Sequence, residues 1–161
     1  MLFASCELAE QSGHDAGRQL LSELYREYTG NDLPEIRLSP RGKPYFAEGN
    51  LHFSISHTKH HAFCVLAARP IGLDAEEVDR DIDLRLAEKI LSPAEYKEFS
   101  ATEDKRRALL TFWVLKEAAA KATGEGLRGY PKHTDFTLSD PRVFFRDGCV
   151  LAIIQEEENA V

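Results

Sequence analysis

Asp74 and Glu76 stand two residues apart in the stretch Gly72-Leu73-Asp74-Ala75-Glu76-Glu77. On an extended strand that spacing puts both side chains on one face, with α-carbons about 6.6 Å apart. They can converge on one ion, and an all-oxygen pair suits a hard cation such as Mg²⁺. The same residues also read as a solvated acidic strand end, the ordinary setting for carboxylates. A second stretch, Trp113-Val114-Leu115-Lys116-Glu117-Ala118-Ala119-Ala120-Lys121, sets three charges in an otherwise apolar run. At roughly 100° per residue, Lys116, Glu117 and Lys121 fall within a helical arc of about 140°. Glu117 and Lys121 could be a plain i,i+4 surface pair, which contributes only about 0.2–0.5 kcal/mol. On a buried helix, however, a charge needs a partner, a metal or a ligand. One carboxylate with two ammonium groups would suit a metal-bound phosphate ester.

The elements that must position these groups are legible in the surrounding pattern. Ile71, Leu73 and Ala75 alternate with Gly72, Asp74 and Glu76, so Ile71 to Glu76 reads as a strand. The second stretch belongs to a helix predicted from about Glu103 to Thr123, apolar nearly all round and stopped by Gly124. Ser92-Pro93-Ala94-Glu95 carries a capping serine, a proline at the first helical position and a glutamate at the third, which starts a shorter helix and lets Glu95 complete a capping box. Upstream, Leu20, Leu21, Leu24, Tyr25 and Tyr28 form one apolar face of a helix from Asp15 to Tyr28, opened by Ser12 or Asp15 and closed by Gly30. Leu51, Phe53 and Ile55 alternate with His52, Ser54 and Ser56 as a half-buried strand, and Ala62 to Ala68 forms its hairpin partner. Asp135 to Leu138, Val143 to Phe145 and Cys149 to Ile154 read as strands, with Asp147-Gly148 as a hairpin turn. Strands arriving in clusters, not in strict alternation with helices, predict an α+β fold with antiparallel sheets.

Composition bounds the function classes. The 161 residues are 43% hydrophobic and 29% charged, as in an ordinary globular chain. No apolar run approaches the roughly 20 residues of a spanning helix, and the N-terminus does not read as a secretory signal, so a cytoplasmic location without membrane contact is expected. Cys6, Cys64 and Cys149 are widely spaced and suggest neither a disulfide framework nor a thiolate zinc site. With 20 basic and 27 acidic residues the net charge is −7, which disfavours a nucleic-acid partner. Any anionic ligand then needs a local basic pocket.

Gly42-Lys43-Pro44, Phe53-Ser54-Ile55-Ser56-His57, Gly72-Leu73-Asp74-Ala75-Glu76 and Trp113-Val114-Leu115-Lys116-Glu117-Ala118 occur in this order. In these four motifs, between about Gly42 and Leu127, the sequence resembles the 4′-phosphopantetheinyl transferases of the surfactin-type branch. The resemblance implies a pseudo-dimer of two similar α/β lobes, 1–69 (shortened) and 70–161, with the active site between them in a monomer. It implies transfer of the phosphopantetheine arm of coenzyme A to a serine of an apo acyl or peptidyl carrier protein, an activity of the holo-acyl-carrier-protein synthase type that serves fatty-acid, polyketide or nonribosomal peptide synthesis. It further implies Mg²⁺ ligation by Asp74, Glu76 and Glu117, with Glu117 as or beside the general base. Lys116 and Lys121 would hold coenzyme A phosphates. Lys43, with Ser56 and His57, would lie near the 3′-phosphate and adenosine end, and Arg41 adds charge there.

Rival readings remain open at this level: besides capping, Glu95 stands where sequences of the family it resembles often carry a glutamate near the metal. Ser56 and His57 can merely cap a hairpin, and His57, His60 and His61 can be taken for a metal cluster or for exposed loop residues. Gly124-Glu125-Gly126 follows a helix and so reads as a helix stop, not a phosphate-cradling loop. A coenzyme A or carrier-protein binding module without turnover, or a Mg²⁺-dependent nuclease or phosphodiesterase, would use overlapping residues. The net charge of −7 fits poorly with docking an acidic carrier protein, so a local apolar or basic patch must do it.

Overall fold

The computed structural model of the chain describes residues 1–124 and 135–156. Strand β1 (Leu2–Glu7) leads into helix α1 (Gly13–Thr29), a short hairpin of β2 (Ile36–Leu38) and β3 (Pro44–Phe46), and a longer hairpin of β4 (His52–His57) and β5 (His61–Ala67). Then β6 (Ile71–Glu77) is followed by α2 (Leu86–Ile90), α3 (Pro93–Ala101), α4 (Lys105–Thr123) and the hairpin of β7 (Val143–Arg146) and β8 (Cys149–Gln155). The architecture is α+β with antiparallel sheets, as the clustering of strands predicts. Two three-stranded sheets, β1-β5-β4 and β6-β8-β7, share one plan: the first strand pairs with the last, and the last with the strand before it.

The period-two alternation of each central strand decides what it packs against. On β5, Ala62, Cys64 and Leu66 face α1, where Ala16, Leu20, Leu21 and Leu24 close one core. Phe63, Val65 and Ala67 face the other way, onto Ile71, Leu73 and Ala75 of β6 and Leu151 of β8. The far side of the second sheet packs under α4 through Val150, Ala152 and Ile154. The order across the molecule is therefore α1, sheet, sheet, α4. Each fully buried large side chain in these cores contributes about 1.5–3 kcal/mol.

Gly72 sets how closely α4 approaches the second sheet. A Cβ on Gly72 would fall 1.9 Å from the Ala118 carbonyl oxygen and 2.5 Å from the Ala122 nitrogen. Only a residue without a side chain lets helix and strand backbones meet this way. The two sheets are joined at their edges by serine hydroxyls. The free N–H groups of Leu73 and Ala75 donate to Ser54 Oγ at 3.0 Å and Ser56 Oγ at 3.2 Å.

Several local expectations match the structure. Ser12 caps α1 and Gly30 ends it. Ser92 and Glu95 form the capping box of α3, and Gly124 ends α4; the Glu125-Gly126 part of that stop lies outside the described residues. The expected strand from Asp135 to Leu138 is not one. There the amides of Phe136 and Leu138 donate to Glu95 Oε1 at 3.0 Å and Glu98 Oε2 at 2.8 Å, so carboxylates of α3 replace a strand partner. Strand β1 carried no expectation, because its alternation is split between two cores, with Ala4 and Cys6 on one side and Phe3 on the other.

Candidate active site

The acidic pair and the helical charges meet at the seam where β4, β6 and α4 come together. Asp74 points from β6 toward α4, and Lys121 Nζ lies 2.7 Å from its Oδ1. Ser56 Oγ reaches the same oxygen at 3.3 Å from β4. Asp74 Oδ2 is buried and has no hydrogen-bond partner. Burial raises the proton affinity of this carboxyl, and Lys121 and Ser56 oppose that rise. Glu76, two residues along the same face, accepts from Trp113 Nε1 at 3.1 Å and pairs with Arg80. Its proton affinity is also raised, first by burial and further by Asp74, while Arg80 pulls it back.

Glu117 projects from the middle of α4 toward these two. Its carboxyl is pushed up to about 7, chiefly by burial and then by the negative charges of Asp74 and Glu76, with Lys121 offsetting part of the rise. The negative charges of Asp74 and Glu76 on β6 thus reach Glu117 on α4. Among the described residues, no three His, Cys, Asp or Glu side chains stand in a ligating arrangement. Lys121 and Arg80 hold the inner oxygens of Asp74 and Glu76 instead. The chemistry of the set still fits a hard cation: the donors are all oxygens, they repel one another, and Asp74 Oδ2 is an orphaned buried acceptor.

A cavity of about 300 Å³ opens beside Glu117 and Lys121, walled by Arg41, Lys43 and Phe53 and ending at Gly124. The turn between β2 and β3 presents its basic residues. Lys43 N donates to Ser39 Oγ at 3.0 Å, and Gly42 sits at φ 86°, a left-handed conformation that favours glycine. The Lys43 ammonium donates to the Ala122 carbonyl in the last turn of α4. Burial lowers its proton affinity, and Glu156 opposes that.

Not every residue singled out in the sequence reaches this seam. Lys116, expected among the phosphate ligands, is fully buried on the side of α4 that faces α3, with Nζ 2.8 Å from Glu95 Oε2. Its neighbour Glu117 is about 100° round the helix and faces the cavity, so one position along α4 separates core from site. Glu95 is fully occupied as well, capping α3 through Ser92 N at 2.8 Å and holding Phe136 N. Ser56 belongs to the Asp74 cluster and is buried. His57 is exposed at the end of β4, and its ring lies against Gly13 at the start of α1, away from the cavity walls. Arg80 received no role from the sequence, since nothing in Val78-Asp79-Arg80 signals that the chain turns back onto Glu76. Trp113 was visible only as part of a motif.

The stretch 70–148 matches the family model described as the 4′-phosphopantetheinyl transferase superfamily, and it contains every carboxylate of the seam. The chain belongs to this superfamily. It is 34% identical over 122 residues to the 4′-phosphopantetheinyl transferase HetI of a Nostoc species, an alignment covering 70% of this chain and 52% of the relative. It is 32% identical over 122 residues to the 4′-phosphopantetheinyl transferase gsp of Aneurinibacillus migulanus, covering 70% and 51%. With the 4′-phosphopantetheinyl transferase psf-1 of Bacillus pumilus it shares 30% identity over 120 residues, covering 68% and 47%. The chain thus spans about half the length of the curated relatives it matches. Among the described residues of this superfamily member, no helix is long and apolar enough to cross a membrane.

Proposed function

We propose that the protein transfers the 4′-phosphopantetheine arm of coenzyme A to a serine of an apo acyl or peptidyl carrier protein, as a two-lobed monomer of the surfactin-type branch and in the manner of a holo-acyl-carrier-protein synthase. The reading rests above all on the meeting of Asp74, with its unpartnered Oδ2, and Lys121 beside a cavity walled by Arg41 and Lys43. The lobes would be 1–69 and 70–161, with the site between them. Three unpaired cysteines suit the reducing cytoplasm.

In this scheme Arg41, Lys43 and Lys121 bind the phosphates of coenzyme A, where cationic side chains give charge-assisted hydrogen bonds. Lys121 is one-third exposed at the cavity and can turn from Asp74 to a phosphate oxygen. Asp74, Glu76 and Glu117 would hold Mg²⁺, which supplies positive charge to the pyrophosphate oxygens when bound. The serine oxygen forms a bond to the phosphorus next to the pantetheine arm as the bond from that phosphorus to the pyrophosphate bridge breaks. The electron pair leaves on the bridging oxygen of 3′,5′-ADP, and the serine proton passes to the Glu117 carboxylate. Trp113 and Arg80 keep Glu76 oriented, so positioning and charge neutralisation carry the catalysis.

The test is intact-protein mass spectrometry of several apo carrier proteins incubated with the protein, coenzyme A and Mg²⁺. A gain of one phosphopantetheine arm, abolished by a chelator and by Asp74→Asn, is expected. Binding of coenzyme A with no gain on any carrier would leave a binding module instead.

A further inference from the structure

The β6–α4 contact is flanked by two hollows, and the phosphate scheme uses only one. Toward the C-terminus of α4 lies the cavity with Lys43 and Lys121. Past Glu76, at the opposite end, a larger hollow of about 560 Å³ opens between the start of α4 and the ends of the second sheet, lined by Val78, Asp104, Arg106, Arg107, Leu110 and Phe145. Val78, two residues after Glu76, follows the last residue of β6, and its N donates to the Gly148 carbonyl at 3.0 Å. Along α4, Leu110 precedes Glu117 by seven residues, about 10.5 Å. Trp113 and Arg80, stacked at 5.6 Å, stand between the two ends.

We propose that this hollow is the docking surface for the acceptor, and that its occupant is an acidic protein face presenting the serine. The inference rests on the transfer reading above. Two arguments carry it. The first is charge: although the chain as a whole is at −7, the described residues that line this hollow carry two guanidinium groups against one carboxylate. That carboxylate, Asp104, is already engaged as the α4 cap, accepting from Arg107 N at 3.0 Å. Arg106 is exposed, and Arg107 lies 4.4 Å from the centre of the Phe145 ring. Val78 and Phe145 are 45% and 49% exposed, so a partner would cover apolar surface inside a basic rim. Interfaces of that composition anchor through the aromatic group and select their partner through charge.

The second argument is stereochemical. In a phosphoryl transfer the attacking and leaving oxygens are roughly in line. With the nucleotide held at the Lys43 end, the serine must approach from the other side of the carboxylates, where the hollow lies.

The experiment measures KM separately for carrier protein and for coenzyme A, in the wild-type chain and in Arg106→Glu and Arg106→Glu/Arg107→Glu variants. The single variant leaves the Arg107–Phe145 contact in place, so a fold defect of the double variant would not obscure the result. Docking at the hollow predicts a carrier KM raised about tenfold or more in the double variant and by a smaller factor in the single one, a coenzyme A KM within twofold, and a carrier KM that depends less on salt than in the wild type. A carrier KM that does not move overturns the docking assignment alone. A raised coenzyme A KM would instead give the hollow to the pantetheine arm, and loss of a wild-type dimer in the variants would give it to a second copy; either overturns it. Wild-type protein that modifies no carrier would overturn the transfer reading and this proposal with it.

Discussion

Substituting Gly72 by alanine tests the claim that one missing side chain holds the site together. The added methyl carbon would sit 1.9 Å from the Ala118 carbonyl oxygen, where ordinary contacts are about 3.5 Å, and 2.5 Å from the Ala122 nitrogen. Both neighbours are backbone atoms of α4, so no rotamer change relieves the overlap, and strand and helix must separate by more than about 1 Å. Overpacking of this severity costs about 3 kcal/mol, the upper end of the usual range. With a urea dependence of about 2 kcal/mol per molar, the unfolding midpoint should fall by about 1.5 M. The same displacement pulls Lys121 and Glu117 on α4 away from Asp74 and Glu76 on β6. A shift of about 1 Å in a reacting constellation costs on the order of 100-fold in rate. Urea titration followed by fluorescence of the lone tryptophan, Trp113, gives the first quantity. Single-turnover transfer at saturating coenzyme A and carrier gives the second. A Gly72→Ala variant with an unchanged midpoint and full turnover would show that the close approach of α4 is not what assembles the site.

Four further substitutions, one of them added on top of another, test the roles of single side chains. Lys121→Ala should raise the KM for coenzyme A about 30-fold, from about 2 kcal/mol of lost charge-assisted bonding; an unchanged KM would reduce Lys121 to a partner of Asp74. Lys116→Met should leave that KM alone and destabilise the fold by about 3–5 kcal/mol, because Glu95 is left as an uncompensated buried charge. Adding Glu95→Gln should then recover part of the loss in a thermal melt, whereas a higher coenzyme A KM without instability would return Lys116 to the phosphate site. Arg142 holds the Asp140 carboxyl below its ordinary proton affinity, so the pair stabilises the fold above the unfolded carboxyl's pKa and loses this as the pH falls through the lower folded one. Asp140→Asn should therefore cost on the order of 0.5–1 kcal/mol at pH 7, discounted for the exposed arginine, and nothing once wild-type Asp140 is protonated; a difference that persists at acid pH would assign the effect to the turn geometry instead.

Much of this protein was determined by relations between near neighbours in the sequence. The capping box at Ser92 and Glu95, the alternation that aims Asp74 and Glu76 together, the Gly42 turn that presents Lys43, and the stop at Gly124 are set within a few residues, where steric and hydrogen-bonding rules act locally. The resemblance to the family rests on four such short stretches, among them those that hold Lys43 and the Asp74–Glu76 pair. Choices that depend on which element packs against which were decided only by the tertiary structure. Lys116, Glu117 and Lys121 look like one polar stripe along the chain, yet α3 packs on one side of α4 and takes Lys116 into the core, leaving Glu117 and Lys121 at the cavity. Ser56 joins Asp74 because the edges of two sheets meet, and Arg80 joins Glu76 because the chain turns back after β6. The segment expected as a strand at Asp135 to Leu138 became a loop because two glutamates of α3, some 40 residues earlier, accept its amides. Periodicity specifies the direction of a side chain relative to its own helix or strand; what stands in that direction is a contact between distant parts of the chain, and only folding supplies it.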